Sequence, residues 1–284
     1  MVEHDRSTFL SVYSSSTLLR VAWMALAMGA YAILAVWKEN SHLSEMGDIP
    51  AELHTALSLV LGLLLVFRTN AAYSRWWEAR TLWGALVNAS RNLAAKFVAL
   101  TRVEQEEVVS ASRLVATFPY ALRDHLRGET DNEWPLRLEP EHDEAIAAAE
   151  HKPGAITKLL YLDLGRWKEA GLIDGDELRV IDRDLAKQLD ICGGCERILK
   201  TRIAKSYRRF ARQCVLLFLL TLPWGIVNTF HWWTIPLTAI LSYFMIGLEV
   251  VAEHVEEPFG YDEDDLDLDG LCKTIERTVD ELVG

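Results

Sequence analysis

Apolar residues are gathered into four long stretches from which charged residues are almost excluded. A helix needs about 20 apolar residues to cross the hydrocarbon core of a bilayer, and roughly 17 is the lower limit. The last two stretches are adjacent and joined by a single histidine, a pattern that favours a membrane protein over a large soluble α-helical domain. The pattern predicts four transmembrane helices, at residues 18–37, 53–73, 213–230 and 232–250.

The second apolar stretch passes without a break into a basic and aromatic one. After Phe67 a tryptophan pair follows at 76 and 77, together with arginines at 68, 75, 80 and 91. No proline interrupts residues 65–97, so one helix is predicted to leave the membrane and continue beyond it. Leu59, Leu63 and Phe67 recur at i, i+4 and i+8, which places them on one face of that helix. Such a stripe is typical of helix packing, and an apolar pore constriction requires the same arrangement.

The remaining sequence has the periodicity of amphipathic helices. Residues 76–210 and 253–284 are predicted to form a cytoplasmic helical region, with a short helix that begins near Pro140. One apolar stripe in this region is formed by Leu178, Ile181, Leu185 and Leu189. No segment alternates in the manner of a strand. The predicted fold class is therefore all-α, with the membrane and cytoplasmic parts continuous in one domain over residues 1–284.

Basic residues lie on one side of the predicted membrane. Arg6 precedes the first apolar stretch and Arg20 lies near its start, and the four arginines already named follow the second apolar stretch, which ends at Phe67. Lys38 is the one Lys or Arg between the first two spans. Six basic residues precede the third span, at positions 200, 202, 205, 208, 209 and 212. The positive-inside rule predicts that both termini and the long middle segment are cytoplasmic.

Composition excludes several classes of protein. The 284 residues include 41 acidic and 29 basic ones, and the net charge of −12 argues against a nucleic-acid surface. Four cysteines are too few for a disulfide scaffold. Cys192-Gly-Gly-Cys195 has the form of a redox or zinc half-site, but zinc needs two further ligands and no βαβ pattern supports redox chemistry. We interpret its glycines as a close helix contact. No nucleophile–base pair or phosphate loop is present, so no enzyme is predicted.

Three separated motifs carry a resemblance to a known family. They are "FRTNAAYSRWWEARTLWG", "GGCERI" and "EEPFGYDEDDLDLDGLCKTIE", and together they resemble the bacterial branch of the bestrophin family. The resemblance implies a homopentameric, ring-shaped ion channel in which the second helix of each subunit lines the pore. It therefore favours Leu59, Leu63 and Phe67 as the pore neck. It also implies a second, cytoplasmic constriction, for which Ile173 and Leu178 are candidates.

The C-terminal region is strongly acidic, with nine carboxylates and no Lys or Arg between positions 253 and 269. Its match to an EF-hand loop is rejected, because leucines at 268 and 271 continue a helical stripe through the supposed loop. The resemblance implies a calcium clasp instead, since animal bestrophins bind calcium at an acidic cluster after a Pro-Phe-Gly step. The matching residues are Glu257, Asp262, Glu263, Asp264 and Asp265. The alternative is a solvated acidic start of a helix, so calcium is a hypothesis and no other cofactor is indicated.

Several functions remain open at this point. The resemblance favours a channel in the inner membrane for chloride and other monovalent anions. The alternatives are a sodium-type cation channel of the same fold and a membrane scaffold or carrier without a pore. A carrier normally buries ionisable groups at the bilayer midplane, and the apolar stretches 53–67, 214–230 and 232–248 show none apart from His54 and the His231 that joins the last two. The expected partners are further copies of the chain, the lipid bilayer and small inorganic ions, and no nucleic acid.

Overall fold

The computed structural model describes residues 16–42, 50–130 and 134–284, and Arg6 lies outside them. Every regular element in these residues is helical. The helices are α1 (Ser16–Glu39), α2 (Ala51–Leu100), α3 (Gln105–Arg127), α4 (Pro140–Ala147), α5 (Lys152–Glu169), α6 (Gly175–Lys200), α7 (Lys205–Phe230), α8 (Thr234–Glu256) and α9 (Leu268–Val283). A 3₁₀ turn, His231–Trp233, joins α7 to α8. The described residues agree with the all-α prediction.

Three stretches of helix are long and apolar enough to cross a membrane: Thr17–Glu39, Glu52–Leu100 and Lys205–Glu256. The third stretch contains both α7 and α8. His231 between them has a φ of 46°, a backbone angle that residues other than glycine rarely adopt. The helix is broken at this residue. These elements cover all four predicted spans. Helices α1 and α2 extend beyond both predicted ends, whereas α7 ends with its span at Phe230 and α8 begins two residues inside its span, at Thr234.

The described residues form two compact units. The first contains the described chain as far as Arg75, with Arg202–Glu256 and Asp262–Asp264. The second contains Trp76–Thr201, Glu257–Tyr261 and Asp265–Gly284. Helix α2 begins in the first unit and ends in the second. The prediction that one uninterrupted helix continues beyond the apolar stretch is confirmed by its 50 residues.

Close helix contacts build the first unit. Helix α1 packs along α8, and a Cβ placed on Gly29 would lie 3.0 Å from the Ala239 Cβ. A Cβ on Gly225 of α7 would lie 2.4 Å from the His54 Nδ1 of α2. A side chain at either position would force its neighbour to shift, and small residues at such contacts are typical of packing between membrane helices. An apolar cluster from α2 and α7 fills the space between these helices: Leu61, Leu65, Val215, Phe218, Leu219 and Leu222.

The second unit has a larger core, in which α3 packs against α5, α6 and α9. Trp83, Phe97, Phe118 and Trp167 are all buried in it. The start of α6 is fixed by a capping box, in which the Asp174 side chain accepts hydrogen bonds from the first-turn amides. These contacts give the predicted cytoplasmic helices a core that is independent of lipid.

The predicted apolar stripe of α6 is correct only at its centre. Ile181 and Leu185 are buried, but Leu189 is exposed and Leu178 is half-buried. The buried face turns instead through Gln188 to the two cysteines of the helix. A helix has 3.6 residues per turn, so a strict four-residue spacing drifts away from the core within two turns.

Candidate functional site

Helix α2 carries an exposed stripe along one side and a buried stripe along the other. Leu59, Leu63 and Phe67 are 77%, 57% and 60% exposed in the chain. Leu61 and Leu65, on the opposite side, are both 4% exposed. Large apolar side chains on an uncovered face indicate contact with lipid or with another copy of the chain, or a position around a pore.

The same exposed stripe becomes polar further along α2. Asn70, Ser74, Trp77 and Thr81 follow at helical spacing, and all four are exposed. The Ser74 hydroxyl donates to the Asn70 carbonyl at 2.8 Å, and the Thr81 hydroxyl donates to the Trp77 carbonyl at the same distance. One helix face therefore presents three apolar side chains and then a polar surface.

The tryptophan pair divides between the two faces of α2. Trp76 is partly buried against the core of the second unit, while Trp77 is 56% exposed. Neighbouring residues on a helix point about 100° apart, which explains the difference. One tryptophan of the pair therefore packs against the core and the other stays exposed.

A buried ion-pair network lies in the first unit, and sequence reasoning missed it. Arg68 of α2 is fully buried, and its Nη2 lies 2.8 Å from the Glu256 Oε2 of α8. Its Nε lies 3.8 Å from the Glu249 Oε2. Arg212 of α7 also pairs with Glu249, at 3.3 Å, and with Glu253. The signal available in the sequence was an arginine directly after the apolar run, which was used there only to predict the orientation in the membrane.

This network corrects one expectation. The arginines after Phe67 were expected to flank the second apolar stretch on its cytoplasmic side, and Arg68 is instead buried against acidic residues of α8. Arg68 lies within predicted span 53–73 and Glu249 within span 232–250, and both are buried. The physical reason is that opposite charges from α2 and α8 neutralise each other, so neither has to reach water.

Glu256 accepts two further hydrogen bonds, one through its carboxylate and one through its backbone carbonyl. Its Oε1 accepts a hydrogen bond from the Ile203 amide at 3.1 Å, and its own carbonyl accepts one from the Arg75 Nε at 3.2 Å. One buried carboxylate at the end of α8 therefore connects to α2 and to the segment that precedes α7.

The acidic segment contributes residues to both units. Asp262, Glu263 and Asp264 belong to the first unit and are exposed, and Asp264 faces the His254 Nδ1 at 3.8 Å. Glu257 and Asp265 belong to the second unit. An all-oxygen donor set suits calcium. Calcium binding at these five residues stays a prediction.

Helix α9 occupies the stretch that resembled an EF-hand loop. It begins at Leu268, and Asp267 caps it by accepting a hydrogen bond from the Gly270 amide at 2.8 Å. Asp269 in its first turn lies 3.0 Å from the Arg127 Nη1. The carboxylates of this stretch therefore cap a helix and pair with arginine, which agrees with the rejection of an EF-hand.

The Cys192–Cys195 motif lies inside α6, and both thiols are free and buried. Burial raises the pKa of each thiol to about 12, so neither is a ready nucleophile. A Cβ on Gly194 would lie 2.9 Å from the Leu82 Cδ1 of α2, whereas a Cβ on Gly193 would meet nothing within 4 Å. The close-contact interpretation is therefore correct for one glycine of the pair.

The two candidates for a cytoplasmic constriction differ. Ile173 is 2% exposed and lies in the core of the second unit, so it cannot line a pore. Leu178 is half-buried at a cleft that it shares with Tyr161 and Asp182. Leu178 stays a candidate.

Comparisons with known proteins cover almost the whole chain. The family model for bacterial and fungal bestrophin proteins matches residues 3–281. A protein of Mesorhizobium japonicum named as a voltage-dependent anion channel-forming protein is 32% identical over 96% of this chain and 82% of its own length. A protein of Nostoc with the same descriptive name is 35% identical over 79% of this chain and 75% of its own length.

Solved structures give the same result. A crystal structure of a bacterial bestrophin homologue from Klebsiella pneumoniae superposes with a TM-score of 0.89 at 27% identity, and covers 95% of this chain and 99% of that one. The resemblance seen in the three sequence motifs is thereby confirmed over the length of the molecule. This chain belongs to the bacterial and fungal bestrophin family.

Proposed function

We propose that the chain assembles as a homopentamer in the inner membrane and conducts chloride and other monovalent anions through a neck formed by Leu59, Leu63 and Phe67. The observation that carries the proposal is the exposed apolar stripe of α2. Four membrane helices in one chain cannot enclose a pore, so a pore needs several copies around a common axis. An apolar ring then controls ion passage by excluding water.

The names of the relatives support anions as the permeating ions. The proteins of Mesorhizobium japonicum and Nostoc are both named for anion channels. The family and these names indicate a channel and not an enzyme, in agreement with the sequence. Within the first unit, Lys205, Arg208, Arg209 and Arg212 line a cleft of about 250 Å³ with a single carboxylate, that of Glu253. A cationic surface raises the local concentration of anions.

The test is the reversal potential of purified protein in planar bilayers under a potassium chloride gradient. A reversal potential close to the chloride equilibrium potential supports the proposal. A value close to the potassium equilibrium potential favours the cation channel, and the absence of current in correctly oriented protein favours a scaffold or carrier.

The neck is tested by replacing Leu59, Leu63 and Phe67 together with alanine. Smaller side chains widen the ring and admit water, so current should rise severalfold and discrimination between anions should weaken. The matched control replaces two leucines and one phenylalanine that are similarly exposed on other helices: Leu26, Leu34 and Phe244. Equal currents from the two triple variants would mean that Leu59, Leu63 and Phe67 serve helix packing and do not form a pore neck.

Calcium at the acidic segment is the second part of the proposal, with Glu257 and Asp262–Asp265 as ligands. Calcium is expected to raise the thermal unfolding midpoint of the purified protein, since it binds the folded state. Asp262→Ala with Asp265→Ala should abolish that rise, while Glu141→Ala with Asp143→Ala on α4 should retain it. A rise of the same size with magnesium at equal ionic strength would indicate charge screening and exclude a calcium clasp.

A further inference from the structure

Three side chains from separate parts of the second unit converge on one point. His125 lies near the end of α3, His151 directly precedes α5, and Glu196 lies on α6. The Nε2 of His125 is 2.7 Å from the Glu196 Oε1, and the Nε2 of His151 is 3.0 Å from the same oxygen. One ligand atom from each residue lies within 4.8 Å of the other two.

The surroundings leave this cluster accessible and charged. The three side chains are between 20% and 43% exposed, so an ion from solvent can reach them. Lys200 donates to the other carboxylate oxygen at 2.9 Å from an exposed position, and it can turn away without disturbing the core. The hydrogen bond from Lys200 is the main reason why the pKa of Glu196 is lowered to about 2. Burial alone would raise this pKa, and the hydrogen bonds to both histidines lower it further. The carboxylate is therefore ionised at neutral pH.

The donor set selects a class of metal. Two imidazole nitrogens and one carboxylate oxygen suit zinc and similar transition metals, whereas calcium and magnesium prefer oxygen ligands alone. Zinc bonds of about 2.0–2.1 Å in a tetrahedral site separate the ligand atoms by roughly 3.4 Å. The two nitrogen–oxygen distances of the cluster therefore need to lengthen by only about 0.4–0.7 Å.

We propose that His125, His151 and Glu196 bind zinc or a similar divalent transition metal, with water as a further ligand. The site has no part in the proposed pore neck, and its test does not depend on channel activity. Each histidine would coordinate through Nε2, so a proton on that nitrogen has to leave before the ion binds, and a neutral ring then carries its proton on Nδ1.

Coordination has a structural consequence at the start of α5. In this structure the His151 Nδ1 accepts a hydrogen bond from the Gly154 amide at 3.0 Å and caps the helix. A neutral imidazole that binds metal through Nε2 carries its proton on Nδ1 and cannot accept that bond. Metal binding is therefore expected to release the Gly154 amide, which hydrogen exchange can detect.

Cys192 lies beside the cluster but is not counted among the ligands. Its sulfur is 3.8 Å from the His151 Nε2, and burial keeps it a thiol. Cys192→Ser should therefore bind zinc with nearly unchanged affinity.

Calorimetric titration of zinc chloride into the full-length, metal-free protein tests the proposal, after removal of any purification tag. We expect one zinc ion per chain, and at least tenfold weaker binding when His125 and His151 are both replaced by alanine. The matched control, His142→Ala with Glu144→Gln on α4, should bind like the unmodified protein. Should the double variant fail to fold, His151→Ala alone provides the comparison, since that side chain is the most exposed of the three.

Hydrogen exchange gives the second readout. Zinc should accelerate exchange in the peptide that contains Gly154 and leave the start of α6, capped by Asp174, unchanged. Failure of the unmodified protein to bind zinc would overturn the proposal, as would equal affinity and stoichiometry in the histidine variants. Neither result bears on the reversal-potential measurement, so the two proposals fail separately.

Discussion

At the scale of single residues, Arg68 has the environment that its sequence position least suggests. It has no exposed surface, and it pairs with Glu256, which is also fully buried. Removing one partner of a buried ion pair leaves an uncompensated charge in a medium that solvates it poorly. The network therefore makes the packing of α2 against α8 sensitive to one side chain.

Arg68→Ala is expected to destabilise the first unit strongly, by about 3–5 kcal/mol. Arg212→Ala should cost less, about 0–1 kcal/mol, because the Arg212 side chain is about half-exposed and solvent screens its charge. The thermal unfolding midpoint in detergent measures both effects. Arg68→Met combined with Glu256→Gln should recover part of the loss, since it removes both charges. A midpoint for Arg68→Ala equal to that of Arg212→Ala would contradict this assignment.

At the scale of elements, the contact between α6 and α2 within the second unit depends on one glycine. Gly194 faces the Leu82 side chain so closely that a Cβ there would have to displace it, and Gly193 faces open space. The two neighbours share the same helix and the same intrinsic cost of about 1 kcal/mol relative to alanine. Comparing substitutions at these two glycines therefore separates the effect of side-chain packing from the effect of helix propensity.

Gly193→Ala is expected to raise the stability of the second unit by about 0.5–1 kcal/mol, through the higher helix propensity of alanine. Gly194→Ala should lose much of that gain, because the half-buried Leu82 side chain has to shift to make room for the new Cβ. Thermal unfolding of the two variants, followed by circular dichroism, measures the difference. An equal gain from both substitutions would mean that Leu82 moves aside at no cost.

At the scale of the whole molecule, the exposed apolar surface has to be covered by lipid or by other copies of the chain. Exposed large apolar side chains occur on α1, α2, α7 and α8. Lipid can cover the outer faces of such helices, but a stripe that continues into polar Asn70 and Ser74 suits a water-filled path better. The single chain is therefore incomplete as a functional unit under the proposed function.

The expected assembly is five copies of the 32.2 kDa chain. Native mass measurement in detergent, with the detergent contribution removed, should give a single species at that stoichiometry. Trp77→Ala should weaken the assembly and lower the stability of the chain less than Trp76→Ala, which removes contacts with the core of the second unit. A monomer at all concentrations would exclude the pentamer and the pore with it.

The sequence by itself determined the class of fold and the existence of the long helix. Hydrophobic runs of membrane length and amphipathic periodicity are local properties, so they can be read without knowing what each helix packs against. The same holds for the stripe of Leu59, Leu63 and Phe67, since helical spacing alone places them on one face. The family motifs were equally visible, because each is a continuous run of residues.

Only the tertiary structure decided which partners meet. Arg68 and Glu256 are 188 positions apart, and their pairing depends on how α2 packs against α8. The cluster of His125, His151 and Glu196 gathers side chains from three places in the chain, with no spacing that a motif would reveal. Gly193 and Gly194 are neighbouring glycines that the sequence cannot tell apart, and only the position of Leu82 shows which of them makes a close contact. Local patterns fix helices and their faces, while long-range contacts select which faces meet and so which charges and ligands come together.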